Sequence, residues 1–166
     1  MAIYTVKLVD RRSSGSHEMS AIQTHIERVL GLAFVDTNDT VNVSWGAGAE
    51  SDNLVMHFVE DSSSSYLKMT WPNLHIDANA GGHTHSHHST SGTELYRTRA
   101  SGPLHLRQYG FIAFHEALHN LFPWRDDVHT VMGDGLAKAN VPNEDPNEAN
   151  KGWLRRGFAS RNPQLL

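Results

Sequence analysis

His115-Glu116-Ala-Leu-His119 lies inside the apolar run from Phe111 to Phe122, and this pairing limits the chain more than any other feature. Residues four apart share a helix face, so a helix here brings both imidazoles to one point. Glu116 stands about 100° further round the same helix, beside that point. Phe114, Leu118 and Leu121 fall on a different stripe, which can anchor the helix in a core. A fold built on this segment must pack one side of the helix and leave His-Glu-x-x-His facing a cleft. The expected chemistry is a metal ion held by His115 and His119, with Glu116 within reach of a metal-activated water.

Cysteine is absent, so a thiolate metal site, a disulfide framework and a cysteine nucleophile are all excluded. A zinc site here must use imidazole and carboxylate donors. The 166 residues suit one domain with a real core, and 39% hydrophobic against 19% charged residues reads as globular. The net charge of −4 is mild and no Lys/Arg run occurs, so nucleic acid is not an expected partner. No apolar stretch approaches membrane-spanning length. Met1–Asp10 lacks the basic start and long apolar core of a signal peptide and reads as a strand. Compartment stays open between cytoplasmic as encoded and secreted after loss of a signal.

Taken in order, Ile3–Val9 alternates as a strand, with Tyr4, Val6 and Leu8 on one face. Met19, Ile22, Ile26, Val29 and Leu30 follow helical spacing, which predicts a first helix over about 17–30, with Ser16 as N-cap and Gly31 just past its end. Val41–Trp45 alternates as a half-buried strand, and Leu54–Val59 is apolar enough for a central one. His57 within it reads as a packed, hydrogen-bonded histidine, and His17 and His25 as surface groups. Segments 66–71 and 74–76 are candidate edge strands. Gly81–Thr90, with His83, His85, His87 and His88, reads as a low-complexity loop. The motif helix is expected over about 104–121, ended by Pro123. A last helix is expected to start with Asp145 as N-cap and Pro146 as its first residue, packing through Ala149, Trp153, Leu154 and Phe158.

The order strand, helix, strands, motif helix, methionine turn, helix resembles the catalytic domain of metzincin zinc metallopeptidases, nearest the matrixin-like members. The residues that carry it are Val41–Trp45, Ser51–Val59, Gly81-Gly-His-Thr-His85, His115-Glu-x-x-His119 and Thr130-Val-Met132-Gly133, covering about 3–160. The resemblance implies an α/β (α+β) zincin-like fold. It would be a mixed, mostly parallel twisted sheet with an antiparallel edge strand, the two helices, the Met132 turn and a C-terminal helix. It implies one catalytic domain over 1–166, with a sheet subdomain to about 121 and a small subdomain over about 122–166. It implies a monomeric zinc-dependent endopeptidase acting on peptides or proteins, with Glu116 as general base and Met132 as a floor beneath the metal.

Three positions depart from the family pattern. Phe122 replaces a glycine, Pro123 shortens the helix exit, and Arg125 stands where the third ligand belongs. A guanidinium cannot ligate zinc. His129 is the first candidate for the third ligand, because three neutral imidazoles preserve the Lewis acidity of zinc. Asp126 and Asp127 are the alternatives. The histidine-rich stretch has three readings: a solvated rim, a second, structural metal site (Zn2+ or Ca2+) as matrixins have, or loose metal capture. Two further functions stand beside the endopeptidase: a zinc hydrolase of a non-peptide amide, and a metal-binding or interaction protein with little catalysis.

Overall fold

The computed structural model describes residues 1–13, 18–88, 90–123, 145–160 and 164–165. Its elements are β1 (Ile3–Asp10), α1 (Met19–Gly31), β2 (Thr40–Trp45), β3 (Leu54–Val59), β4 (Gly82–His87), β5 (Thr90–Tyr96), the short β6 (Thr98–Arg99) and β7 (Gly102–Pro103), α2 (Gln108–Leu121), α3 (Glu148–Ala159) and β8 (Gln164–Leu165). The main sheet runs β2-β1-β3-β5-β4, with β8 beside the start of β5. β1 pairs in parallel with β2 and β3, and β3 in parallel with β5. β4 alone is antiparallel, at the edge beside β5. The class is therefore mixed α/β, with a mostly parallel sheet and an antiparallel edge.

Alternation sets the two faces. Val6 and Leu8 of β1, Val41 and Val43 of β2, Leu54, Met56 and Phe58 of β3 and Leu95 of β5 share one core with α1 and α2. Every residue of β3 is buried, as a strand covered on both faces must be. On the far face Val59, Ile76 and Tyr96 form a second cluster. His57 lies on that far face, where its Nδ1 accepts from Arg11 Nε at 3.2 Å and its ring lies 4.3 Å from that of Tyr66. This is the packed histidine that the sequence predicts.

Two glycines explain how closely α2 is seated. A Cβ at Gly110 would come within 2.4 Å of Val29 Cγ2 and 2.8 Å of the His25 carbonyl, so α1 lies directly on α2 there. At Gly82, a Cβ would meet Ile112 Cγ2 at 2.9 Å and Glu116 Cγ at 3.1 Å, so β4 presses on the motif turn itself. The far end of α2 is braced by α3. Leu154 and Phe158 are buried in the main core, and Gly157 lies against Leu121. Phe158 stacks on Tyr4 with centroids 5.1 Å apart.

Several expectations are corrected. Gly31 is the last residue of α1 with a right-handed φ of −62°, and a 3-10 turn over Leu32–Phe34 continues from it, so no left-handed cap forms. Ser16 lies outside the described residues, and Glu18 takes the N-cap position. Segments 66–71 and 74–76 are not edge strands: Leu67–Met69 is a 3-10 turn, and the chain to Ile76 is irregular. The histidine-rich stretch is not a loop but β4, joined to β5 by a tight turn at His88, whose φ is +53°. Here alternation is carried by polar residues on both faces, which hides a strand from hydrophobicity.

α2 begins at Gln108 rather than 104, because the Gln108 side chain accepts from the His105 N–H at 2.8 Å and holds a turn before it. The last helix is capped two residues later than expected. Asn147, not Asp145, accepts from a first-turn amide, Asn150 N–H, at 2.9 Å. Ala149 is exposed and Asn150 is buried in its place.

Candidate metal centre

α2 delivers the motif as its spacing requires. His115 and His119 stand on one face with ring centroids 4.8 Å apart and planes inclined at 70°. Both are half-buried, whereas Phe114, Ala117, Leu118 and Leu121 are buried in the core. The helix stops at Leu121, with Phe122 leaving helical geometry at φ −126° and ψ 61° just before Pro123. The imidazole pair and the absence of cysteine suit zinc or a similar borderline divalent ion. Among the described residues no third His, Asp or Glu joins them to form a metal-binding group of three. His129, Asp126, Asp127, Arg125 and Met132 lie outside the described residues.

Glu116 points between the helix and β4. It is 6% exposed. Burial pushes its carboxyl up to about 7, against a lowering by the Thr84 hydrogen bond, with a further rise from the charge of Glu94. Thr84 Oγ1 lies 2.6 Å from Glu116 Oε2, 3.2 Å from the Glu116 carbonyl and 2.8 Å from Thr93 Oγ1. Asn120 Nδ2 donates to Thr93 Oγ1 at 2.9 Å. Thr93 and Asn120 are fully buried.

These three polar residues carry no metal ligand pattern and are missing from the sequence reading. One signal was present: Asn120 is four residues beyond Glu116 on a helix side otherwise apolar, so the two share a face.

β4 divides its side chains between two sides. Thr84 faces Glu116, and Ser86 donates to the Pro123 carbonyl at 3.4 Å. The alternate residues His83, His85 and His87 therefore project from the other face, away from α2. The rings of His83 and His85 are stacked at 6.3 Å, and Trp71 meets His85 edge-on at 4.6 Å. Burial lowers the pKa of both His83 and His85, with a smaller lowering of His83 by His85 and of His85 by His87.

The other buried carboxylate of this sheet, Glu94, lies on that same far face. It accepts from the Ser65 hydroxyl, from Tyr96 Oη at 2.6 Å, and from the Tyr66 and Leu67 amides at 2.9 and 3.3 Å. It pins the 3-10 turn to the sheet. Expected ligands and base thus meet on α2, while the histidine strand faces elsewhere.

No protein-family model, curated protein or solved structure matches the chain.

Proposed function

We propose that this chain is a zinc-dependent endopeptidase of metzincin type. The observation that carries the reading is Glu116: a buried carboxyl, beside two imidazoles that share one helix face, with a pKa raised by burial to about 7. Burying a carboxyl costs free energy unless it is well hydrogen-bonded. Among the described residues Glu116 has one side-chain hydrogen bond where the structural Glu94 has four contacts, so its raised pKa marks it as a candidate for chemistry. The antiparallel edge strand beside the motif helix also supports the finer, zincin-like reading of the fold.

His115 and His119 would hold the ion, with the third donor from His129, Asp126 or Asp127. Zinc bound there supplies Lewis acidity toward a peptide carbonyl and toward water. Glu116 works as general base and then as general acid. It takes a proton as water adds to the carbonyl and returns it to the departing amine. A pKa near neutrality suits both directions of transfer at physiological pH. The backbone of β4 offers the substrate its edge. Among the described residues β4 is paired on one side only, with β5, so an extended peptide can add as a further strand. β5 lies inside the sheet, and the histidine strand β4 is its edge.

The test compares wild type with Glu116→Ala for zinc content and for cleavage of casein or a peptide library. The expected variant retains about one zinc per chain and loses cleavage by roughly 10²–10⁴-fold. A fully loaded wild type that cleaves no peptide overturns the endopeptidase and leaves a metal-binding protein or a hydrolase of other amides.

A further inference from the structure

We propose that Thr84 is the positioning residue of the Glu116 carboxylate, holding Oε2 as an acceptor and leaving Oε1 to take and return the proton. The inference rests on the hydrolase reading above and names how its base is aimed.

The direction of the hydrogen-bond chain is set from the Glu116 end. In its ionised form Glu116 only accepts, so the single proton of Thr84 goes to Glu116 Oε2, 2.6 Å away. Thr84 must then accept in its 2.8 Å contact with Thr93, whose own proton it receives. At the far end the Asn120 Nδ2 group donates to Thr93 Oγ1 at 2.9 Å. With the Thr84 proton on Glu116, the order is Asn120 to Thr93 to Thr84 to Glu116. Each hydroxyl accepts one proton and donates one, so each link polarises the next.

The frame is rigid for a separate reason at each member. Asn120 sits one turn beyond Glu116 on the same helix. Thr84 and Thr93 are directly paired in the β4–β5 ladder, so their side chains share the face that meets α2. Gly82 brings that face close, since any Cβ there would strike Ile112 and Glu116. Oε2 is thereby committed. Among the described residues no hydrogen bond goes to Oε1, so that oxygen is the one available to a reacting water. A threonine on a substrate-facing strand thus also sets which face of the base is presented.

The experiment has two arms, on Thr84→Val and Thr84→Ser. In the first, metal-free protein carries 13C-labelled glutamate carboxyl groups, and the Glu116 signal is identified by its loss in Glu116→Gln. The expected result is a moved Glu116 signal in Thr84→Val and a wild-type position in Thr84→Ser. In the second, zinc-loaded protein is assayed on a cleaved peptide. Thr84→Val should lower kcat by roughly 10–100-fold, as misaimed catalytic groups do, with KM and zinc per chain unchanged, and serine should restore it.

An unmoved carboxyl signal in Thr84→Val overturns the proposal, as does an undiminished kcat or a serine variant as impaired as valine. Thr84→Ala carries the same readings if valine is not accommodated. A loaded wild type without peptidase activity overturns the hydrolase reading and the catalytic half of this one. The labelled carboxyl then decides the hydrogen bond by itself.

Discussion

His115 and His119 on α2, and His83, His85 and His87 on β4, present the same side chain at the repeat of their own element. One set is spaced by four on a helix, the other by two on a strand, and each lines up on one side. Their surroundings differ. The helix pair has beside it a buried carboxyl whose one oxygen is held by Thr84 and whose charge no hydrogen-bonded cation neutralises among the described residues. On the strand side the nearest buried carboxylate, Glu94, is already engaged by two hydroxyls and two amides. Alignment of imidazoles is therefore a weak sign of chemistry by itself. The base beside them, and whether it is committed elsewhere, separates the two clusters.

The largest expected effect tests that separation directly. His115→Ala or His119→Ala should remove tight zinc binding and cleavage together, with an affinity loss beyond the roughly 10–100-fold that changes around the ligands cost. The double substitution His83→Ala with His85→Ala should leave both unchanged. Zinc titration and a peptide assay on the same preparations decide it. Loss of catalytic zinc from the strand variant would abolish the distinction between the clusters.

The helix side was legible in the sequence and the strand side was not, for physical reasons. Leu54–Val59 and the α2 stripe announce themselves through hydrophobic periodicity, and so does β1 through Val6 and Leu8. β4 has no such contrast: His83, His85 and His87 alternate with Thr84 and Ser86, all polar. The far face there is covered by Trp71 and the turn at Leu67–Met69 rather than by a helix. That turn is held by Glu94 through contacts remote in sequence, which no local pattern encodes. The Asn120–Thr93–Thr84 chain was invisible for the same reason, since it joins three elements through two hydroxyls. The cap of α3 moved from Asp145 to Asn147 because a capping oxygen can be supplied at neighbouring positions, and Asp145 pairs with Arg28 at 3.3 Å instead. The third-ligand candidates Asp126, Asp127 and His129 lie outside the described residues.

The next effect is on stability, and its sign is opposite on the two sides. In the metal-free chain the Glu116 pKa of about 7 exceeds its ordinary value of 4.5. The folded state then binds the proton more tightly than the unfolded state. The stability contributed by this group is fully present below about pH 4.5 and is lost as pH rises through 7. Glu116→Gln removes that loss and keeps an acceptor for Thr84. At pH 8 it should be more stable than wild type by on the order of 2–3 kcal/mol, and near pH 4.5 the two should converge. Urea unfolding at both pH values in the presence of a chelator measures it. An equal difference at the two pH values would place the effect in packing rather than in charge.

Gly82 couples the two sides, being a residue of the histidine strand that touches the motif helix. Gly82→Ala adds a methyl 2.9 Å from Ile112 Cγ2 and 3.1 Å from Glu116 Cγ, and the third neighbour, the Glu94 carbonyl, is backbone at 3.1 Å. Something must shift, at a cost of about 1–3 kcal/mol. Cleavage should fall as well, because the strand that moves carries Thr84. Gly152→Ala is the matched control, with nothing closer than Arg155 Nη2 at 3.6 Å. Thermal unfolding and kcat of both variants check it, and equal behaviour would show that the β4–α2 approach does not matter.

The smallest effect belongs to the strand histidines. Burial holds the His83 pKa below 6.5, with His85 adding to the shift, so the folded state favours the neutral ring. Its contribution to stability is present above pH 6.5 and is lost as pH falls through the lowered value. His83→Gln should flatten this acid-side loss while leaving the alkaline-side loss from Glu116 in place. Unfolding midpoints from pH 5 to pH 8 in chelator, on wild type, His83→Gln and Glu116→Gln, resolve the two slopes. Each substitution should remove one slope and spare the other. If His83→Gln had a different effect in the Glu116→Gln background than in wild type, charge on β4 would be reaching Glu116 through the sheet, and the two histidine clusters would form one electrostatic unit.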